Sequence, residues 1–121
     1  VEASQMQVIK NFWEKLGAIV TMTNPEQHDK DSVYSQGFTY SIARIILNMD
    51  LPSVGFQTRS FNKLTEVAEL SANDSEQLFH DMLFYNPYYS GMKKQLMDTI
   101  KRTALKLNEI EAEQIDTKPF E

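Results

Sequence analysis

The sequence contains no cysteine. This absence excludes disulfide bonds, thiolate catalysis and cysteine-ligated zinc, and it fits a chain that works in a reducing compartment. The sequence also has no signal peptide, and its longest apolar runs, such as "IARIILNM" at residues 42–49, are far too short to cross a bilayer. We therefore expect a cytoplasmic protein that does not enter a membrane.

Positive charge is also scarce. The net charge is -5 at pH 7, and Lys and Arg are scattered along the chain. Because nucleic acids and anionic lipids attract clustered positive charge, neither is an expected partner. The two histidines, His28 and His80, fall on different predicted helices, so no metal site is expected. The sequence has no GxGxxG, phosphate-binding loop or GxSxG motif, and a complete enzyme is not evident.

What the sequence does contain is a helical pattern. The 121 residues are 41% hydrophobic, with only 4 Gly and 4 Pro, which predicts one all-α bundle of about four to five helices. Apolar spacing and turn signals place the helices at about 2–16, 25–48, 58–71, 74–86 and 88–113. The run "AIVTM" at 18–22 predicts a short N-terminal strand. It has no partner strand here, so it either pairs with something outside this sequence or stays an extended linker.

The second helix has the clearest start. Thr23 or Asn24 caps it, Pro25 takes the first helical position, and Glu26 lies in the first turn, where the helix dipole favours an acid. From Phe38 onward the helix is apolar nearly all round, which predicts a central, buried position.

Polar but uncharged residues line one side of this helix. At about 100° per residue, His28, Ser32, Ser35 and Thr39 fall in a narrow stripe with Gln36 at its margin. Either the stripe lines a wet cavity, or its small hydroxyls let another helix approach closely and bond back to their own carbonyls. Periodicity leaves both interpretations open. Adjacent helical residues point about 100° apart, so Asp29 does not automatically orient His28, and a surface histidine is the simpler interpretation.

Two further features concern Arg59 and the last helix. Arg59 follows a loop with Pro52 and Gly55, where an Arg is either solvated or reaches into a cleft to bind a carboxylate bidentately. The apolar side of the last helix and the aromatic stretch "LFYNPYY" exceed what a core of this size covers, which predicts a homodimer.

Four motifs follow one another along the chain: "FWEKLGAIVTMTNPEQHDK", "YSQGFTYSIAR", "TRSFNKLTEVAEL" and "DSEQLFHDMLFYNP". In this order they resemble the C-terminal helical domain of the prephenate and arogenate dehydrogenase family. That family has a helix ending in Leu-Gly-Ala, a short strand and a Glu-x-His-Asp helix start. A Ser-Gln-x-x-Thr-His region, a Thr-Lys-x-Tyr-x-x-Leu helix and an Asp-Ser-x-x-Leu-x-x-x-Leu-x-x-Tyr-Asn stretch follow. The resemblance covers about residues 8–100.

The resemblance implies a helical, dimer-forming, substrate-covering domain of a tyrosine-biosynthesis enzyme that oxidatively decarboxylates prephenate or arogenate. NAD or NADP is then bound mainly by an N-terminal dinucleotide-binding domain, which this sequence lacks together with the catalytic histidine. This domain alone is expected to be inactive and to hold no catalytic residue. Residues 1–24 would link to the missing domain, 25–115 would form the helical dimerisation and substrate domain, and 116–121 a tail.

The resemblance also assigns site residues. Many members have a second histidine where this chain has Tyr40, a residue that hydrogen-bonds but carries no positive charge at neutral pH. Many prephenate-specific members place an Arg in the helix that corresponds to "LTEVAEL", which has none here. "TRSF" is closer to arogenate-type members. The substrate-binding residues expected from this comparison are His28, Asp29, Ser32, Gln36, Thr39, Tyr40 and, as a displaced candidate, Arg59.

The missing Arg, Tyr40 and the missing cofactor domain also support a different function. The alternative is a stand-alone helical interaction or regulatory module that has kept the fold and lost the chemistry.

Overall fold

The computed structural model describes residues 2–117 and confirms the predicted all-α fold. Each predicted helix is present. The elements are α1 (Ala3–Lys15), α2 (Pro25–Ser32), a π-helical segment (Val33–Phe38), α3 (Thr39–Asn48), α4 (Arg59–Ala72), α5 (Glu76–Phe84) and α6 (Tyr89–Thr117).

The predicted N-terminal strand does not form. Within residues 2–117 there is no strand, and residues 18–24 have no regular secondary structure. A strand needs a neighbour to satisfy its backbone N–H and C=O groups, and this part of the chain offers none. The sequence left open whether this run pairs with a strand outside the chain or stays an extended linker, and in this structure it is an extended linker.

The predicted second helix is one continuous helix from Pro25 to Asn48, built from α2, the π segment and α3. Its junction residues Ser32 and Phe38 keep helical backbone angles. The start is as predicted, because the Asn24 side chain accepts a hydrogen bond from the Gln27 backbone N–H at 2.9 Å. The π turn in the middle, with its i→i+5 bonding, was not predicted.

This continuous helix is the centre of the domain, as predicted. Its π segment packs against α5 and α6, while α3 packs against α4. Val33, Leu83 and Met92 are buried where the π segment meets α5 and α6, and Ala43, Ile46 and Ala68 are buried between α3 and α4. The helix is not buried all round, however, because Phe38 and Ile45 are each 40% exposed.

Gly37 permits the close approach of α5 to the π segment. A Cβ at this position would lie 3.0 Å from Leu83 Cδ2 and 3.6 Å from Met92 Cε. A larger side chain there would displace the core.

The first helix, α1, ends as predicted at Gly17, which has a φ of 86°. Its apolar residues Ile9, Phe12, Trp13 and Leu16 are each at least half exposed. Its apolar face is therefore left uncovered by the rest of residues 2–117.

Helices α4 and α5 have side-chain caps. Thr58 caps α4 and Ser75 caps α5, with hydrogen bonds of 3.1 Å each. α6 has 29 residues and is about 43 Å long. It ends at Thr117 rather than near Glu113, so Asp116 and Thr117 of the predicted tail are helical. Residues 118–121 of that tail lie outside the described residues.

Candidate functional site

The polar residues of the central helix do not face one common space. Ser32 and Thr39 are half-buried, whereas His28, Ser35 and Gln36 are exposed. The wider turn of the π segment shifts the residues that follow it relative to the 100° spacing on which the predicted stripe depends. His28 and Thr39 are also separated by about 16 Å along the helix axis.

Ser32 has a structural partner. Asn86, in the turn between α5 and α6, donates from Nδ2 to the Asp29 backbone oxygen at 2.9 Å and to Ser32 Oγ at 3.2 Å. Asn86 Oδ1 accepts from the Tyr88 N–H at 2.9 Å. These three bonds hold the α5–α6 turn against the end of α2.

His28 and Asp29 do contact each other, despite their 100° separation. Nδ1 of His28 lies 3.2 Å from Oδ1 of Asp29, with both side chains largely in solvent. His80 and Asp81 on α5 form the same pair at 3.0 Å, and this contact lowers the pKa of Asp81. Because the same contact occurs at a second exposed position, it is a local property of adjacent His and Asp residues and does not by itself mark a site.

A cavity of about 130 Å³ lies between α3 and α4. Its lining residues are Thr39, Tyr40, Ala43, Val67, Leu70 and Ser71. Ser71 is 1% exposed, and its Oγ has no hydrogen-bond partner among the residues that the structure describes. Thr39 Oγ1 has only a long contact of 3.5 Å with the Tyr34 carbonyl oxygen. Because a buried hydroxyl without a partner is costly, the cavity is suited to a ligand or water that hydrogen-bonds to Ser71 and Thr39.

A charged cluster lies beside this cavity. Arg44 donates from Nη1 to the Glu76 carboxylate and from Nη2 to the Asp74 backbone oxygen at 3.3 Å. The pKa of the Tyr40 phenol is raised above its ordinary value by hydrogen bonding to Asp74 and by the negative charge of that carboxylate. Oδ2 of Asp74 is buried and has no partner within residues 2–117. The cluster therefore favours the neutral form of the Tyr40 phenol, and Oδ2 of Asp74 remains available to accept a hydrogen bond.

Of the residues predicted for the site, the structure brings Thr39 and Tyr40 to this cavity. Arg59 does not join them, since it is exposed at the first position of α4, about 18 Å along the helix from Ser71. The sequence analysis missed Ser71, Asp74 and Arg44. Asp74 precedes a predicted helix, where an Asp is typical as a cap and gives no signal of a site, and Arg44 had only a weak signal in its spacing of four residues from Tyr40.

Cofactor and metal sites are limited by the same geometry. Across residues 2–117 no three His, Asp or Glu side chains are placed to hold a metal ion together. None of the helices in this range combines the length and apolarity needed to span a bilayer. The α3–α4 cavity, at about 130 Å³, is by itself too small to enclose a dinucleotide.

The fold and site define a helical domain with a small, mainly apolar cavity between two of its helices, into which a few hydroxyl-bearing residues are placed. Residues 45–119 match the family described as "TYRAAT1-like, C-terminal domain". The chain belongs to this family, which confirms the resemblance found in the sequence.

Two curated relatives come from Arabidopsis thaliana. "Arogenate dehydrogenase 1, chloroplastic" is 30% identical over 61 residues, which cover 50% of this chain and 10% of the relative. "Arogenate dehydrogenase 2, chloroplastic" is 27% identical over 88 residues, which cover 70% of this chain and 25% of the relative. The chain thus spans about a tenth and a quarter of the length of these relatives.

Proposed function

We propose that this chain is the helical substrate and dimerisation domain of an NAD(P)-dependent arogenate or prephenate dehydrogenase of tyrosine biosynthesis. The supporting observation is the family match over residues 45–119, together with relatives that are named arogenate dehydrogenases. The matched range includes α4, which supplies Val67, Leu70 and Ser71 to the cavity. The proposed partner is a second copy of the chain.

The cofactor belongs, in this proposal, to a separate N-terminal dinucleotide-binding domain to which residues 1–24 link the helical domain. The uncovered apolar face of α1 supports this arrangement, because a neighbouring domain would remove it from water. His28 and Gln36 are exposed on the central helix and are available to face that domain. A nicotinamide cofactor held there would supply the hydride acceptor, and the present residues would only hold and orient the substrate.

The α3–α4 cavity is the proposed substrate contact within this chain. Thr39 and Ser71 offer hydroxyls that donate or accept, and Tyr40 offers a neutral phenol. Two of these three hydroxyls lack a good partner within residues 2–117, so a bound polar group would satisfy them without displacing a strong hydrogen bond described there.

Asp74 favours arogenate over prephenate in this proposal. Arogenate carries an ammonium group where prephenate carries a keto oxygen, and a carboxylate attracts the former and repels the latter. The free oxygen of Asp74 and its position beside Tyr40 place this negative charge next to the cavity. A hydrogen bond between two charged groups contributes about 1.5–3 kcal/mol, which is enough to set a preference.

The test uses the full-length protein and measures kcat/KM for arogenate and for prephenate by nicotinamide reduction. The Asp74→Asn variant is expected to lose roughly tenfold to a hundredfold in kcat/KM with arogenate and to lose little with prephenate. The Arg44 contact with the Asp74 backbone oxygen is independent of this side chain. Glu69→Gln, which changes an exposed acid in the last turns of α4, serves as the matched control.

Two outcomes would contradict the proposal. An equal loss with both substrates would remove Asp74 from a role in specificity. No turnover of either substrate by the unmodified full-length protein would reject the dehydrogenase and support the stand-alone interaction module. The reading frame upstream of Val1 gives a rapid first check, because a dehydrogenase requires a Gly-rich dinucleotide fingerprint in frame there.

A further inference from the structure

Arg44 and Asp74 carry opposite charges in one cluster, yet their side chains do not form an ion pair. Arg44 donates from Nη2 to the Asp74 backbone oxygen at 3.3 Å and from Nη1 to the Glu76 carboxylate. Within residues 2–117, Nε of Arg44 and Oδ2 of Asp74 are both buried and neither has a hydrogen-bond partner. Because opposite charges attract strongly away from water, a further contact is needed to keep this guanidinium and this carboxylate unpaired.

Glu76 supplies that contact. It is the first residue of α5, and its side chain is 82% exposed, whereas the side chain of Arg44 is 20% exposed. The guanidinium also lies over the ring of Phe79, with Cζ 5.2 Å from the ring centroid. Glu76 and Phe79 both belong to α5, so the charge of Arg44 is directed toward that helix rather than toward the Asp74 carboxylate.

The Asp74 carboxylate acts on Tyr40 instead. The pKa of the Tyr40 phenol is raised by hydrogen bonding to Asp74 and by the negative charge of its carboxylate. A guanidinium paired with the carboxylate would oppose both effects. Asp74 therefore presents a negative charge beside the α3–α4 cavity that Arg44 does not neutralise.

We propose that Glu76 is a positioning residue that determines specificity: it binds Arg44 and so leaves the charge of the Asp74 carboxylate available to a primary ammonium group in the α3–α4 cavity. The identity of the substrate rests here on the proposed function. Without Glu76, the guanidinium can turn toward the Asp74 carboxylate, since it already contacts the backbone oxygen of the same residue. An ammonium group would then meet a neutralised carboxylate and lose its preferred partner.

The first test measures kcat/KM with arogenate and with prephenate in the full-length protein. Glu76→Ala is expected to lower the ratio of the two values roughly threefold to tenfold, a smaller change than in Asp74→Asn because the carboxylate itself remains. Glu76→Asp, which keeps a carboxylate, is expected to retain most of the ratio. Glu69→Ala, which removes an exposed negative charge from α4, is the control. An unchanged ratio in Glu76→Ala, or an equal fall in Glu69→Ala, would overturn the proposal.

A second test needs no substrate. Ultraviolet titration of the full chain, with the matching Tyr40→Phe variants subtracted, is expected to show that the phenol ionises at lower pH in Glu76→Ala than in the unmodified protein. Adding Arg44→Met to Glu76→Ala is expected to return the ionisation to higher pH, because the competing cation is gone. An unmoved titration in Glu76→Ala, or one that stays low in the double variant, would overturn the proposal.

The two tests keep this inference separate from the proposed function. If the unmodified full-length protein turned over neither substrate, the dehydrogenase would be rejected. The titrations would still decide whether Glu76 controls the charge of Asp74.

Discussion

Replacing Asn86 with Ala is the sharpest test of how the central helix is held in place. The side chain makes three hydrogen bonds, to the Asp29 carbonyl oxygen, to Ser32 Oγ and from the Tyr88 N–H, at 2.9, 3.2 and 2.9 Å. The first two join elements that are far apart in sequence, the third lies within the turn, and Asn86 is half-buried. The substitution therefore removes both hydrogen bonds described between the α5–α6 turn and the end of α2.

The magnitude follows from these contacts. Each net hydrogen bond contributes about 0.5–1.5 kcal/mol, and Asp29 O keeps its helical partner, the Val33 N–H, after the substitution. We expect the Asn86→Ala variant to lose about 2–3 kcal/mol of unfolding free energy. For a chain of this size that loss lowers Tm by roughly 10 °C.

The assay is urea denaturation followed by far-UV circular dichroism at one fixed protein concentration. Ser32→Ala is expected to cost about 1 kcal/mol, and the double variant is expected to cost less than the sum because the two side chains share a bond. Ser53→Ala, in an exposed loop, is the control. If Asn86→Ala were as stable as this control, the turn would not be held by Asn86 and our account of Ser32 would fail.

Two other predictions concern the core and the site. Gly37→Val is expected to destabilise the fold by about 1–3 kcal/mol, because a Cβ at this position would lie 3.0 Å from Leu83 Cδ2. Gly37→Ala is expected to have a smaller effect. Urea midpoints equal to that of the unmodified protein would contradict the close packing at Gly37. The raised pKa of Tyr40 means that its contact with Asp74 stabilises the fold below the ordinary phenol pKa of 10.0 and is lost as pH rises through the folded value. Ultraviolet titration, with Tyr40→Phe subtracted as the reference, is expected to show that the Tyr40 phenol ionises at lower pH in the Asp74→Asn variant. An unchanged titration curve would mean that Asp74 does not raise the pKa of Tyr40.

Most helix positions follow from local chemistry. Asn24 with Pro25 sets one helix start and Gly17 sets one helix end through contacts that span only a few residues, so the sequence predicts them well. The length of the central helix is predicted for the same reason. The π turn at 33–38 is not, because no sequence period distinguishes it from α-helix.

The candidate site was predicted only in part. Thr39 and Tyr40 are named by their place on the central helix, which local spacing defines. Ser71 and Asp74 come from the end of α4 and the turn after it, about 30 residues away in sequence. Only the packing of α4 on α3 brings Ser71 to the cavity and Asp74 beside Tyr40.

The sequence by itself determined that the chain is helical, where its helices begin and which family it belongs to, since these depend on local contacts and on motif order. The tertiary structure alone decided which polar residues face one another. In the structure Ser32 bonds to Asn86, His28 and Gln36 are exposed, and Thr39 and Tyr40 line a cavity. The predicted stripe does not persist because the direction of each side chain depends on the π turn and on helices that come from distant parts of the chain.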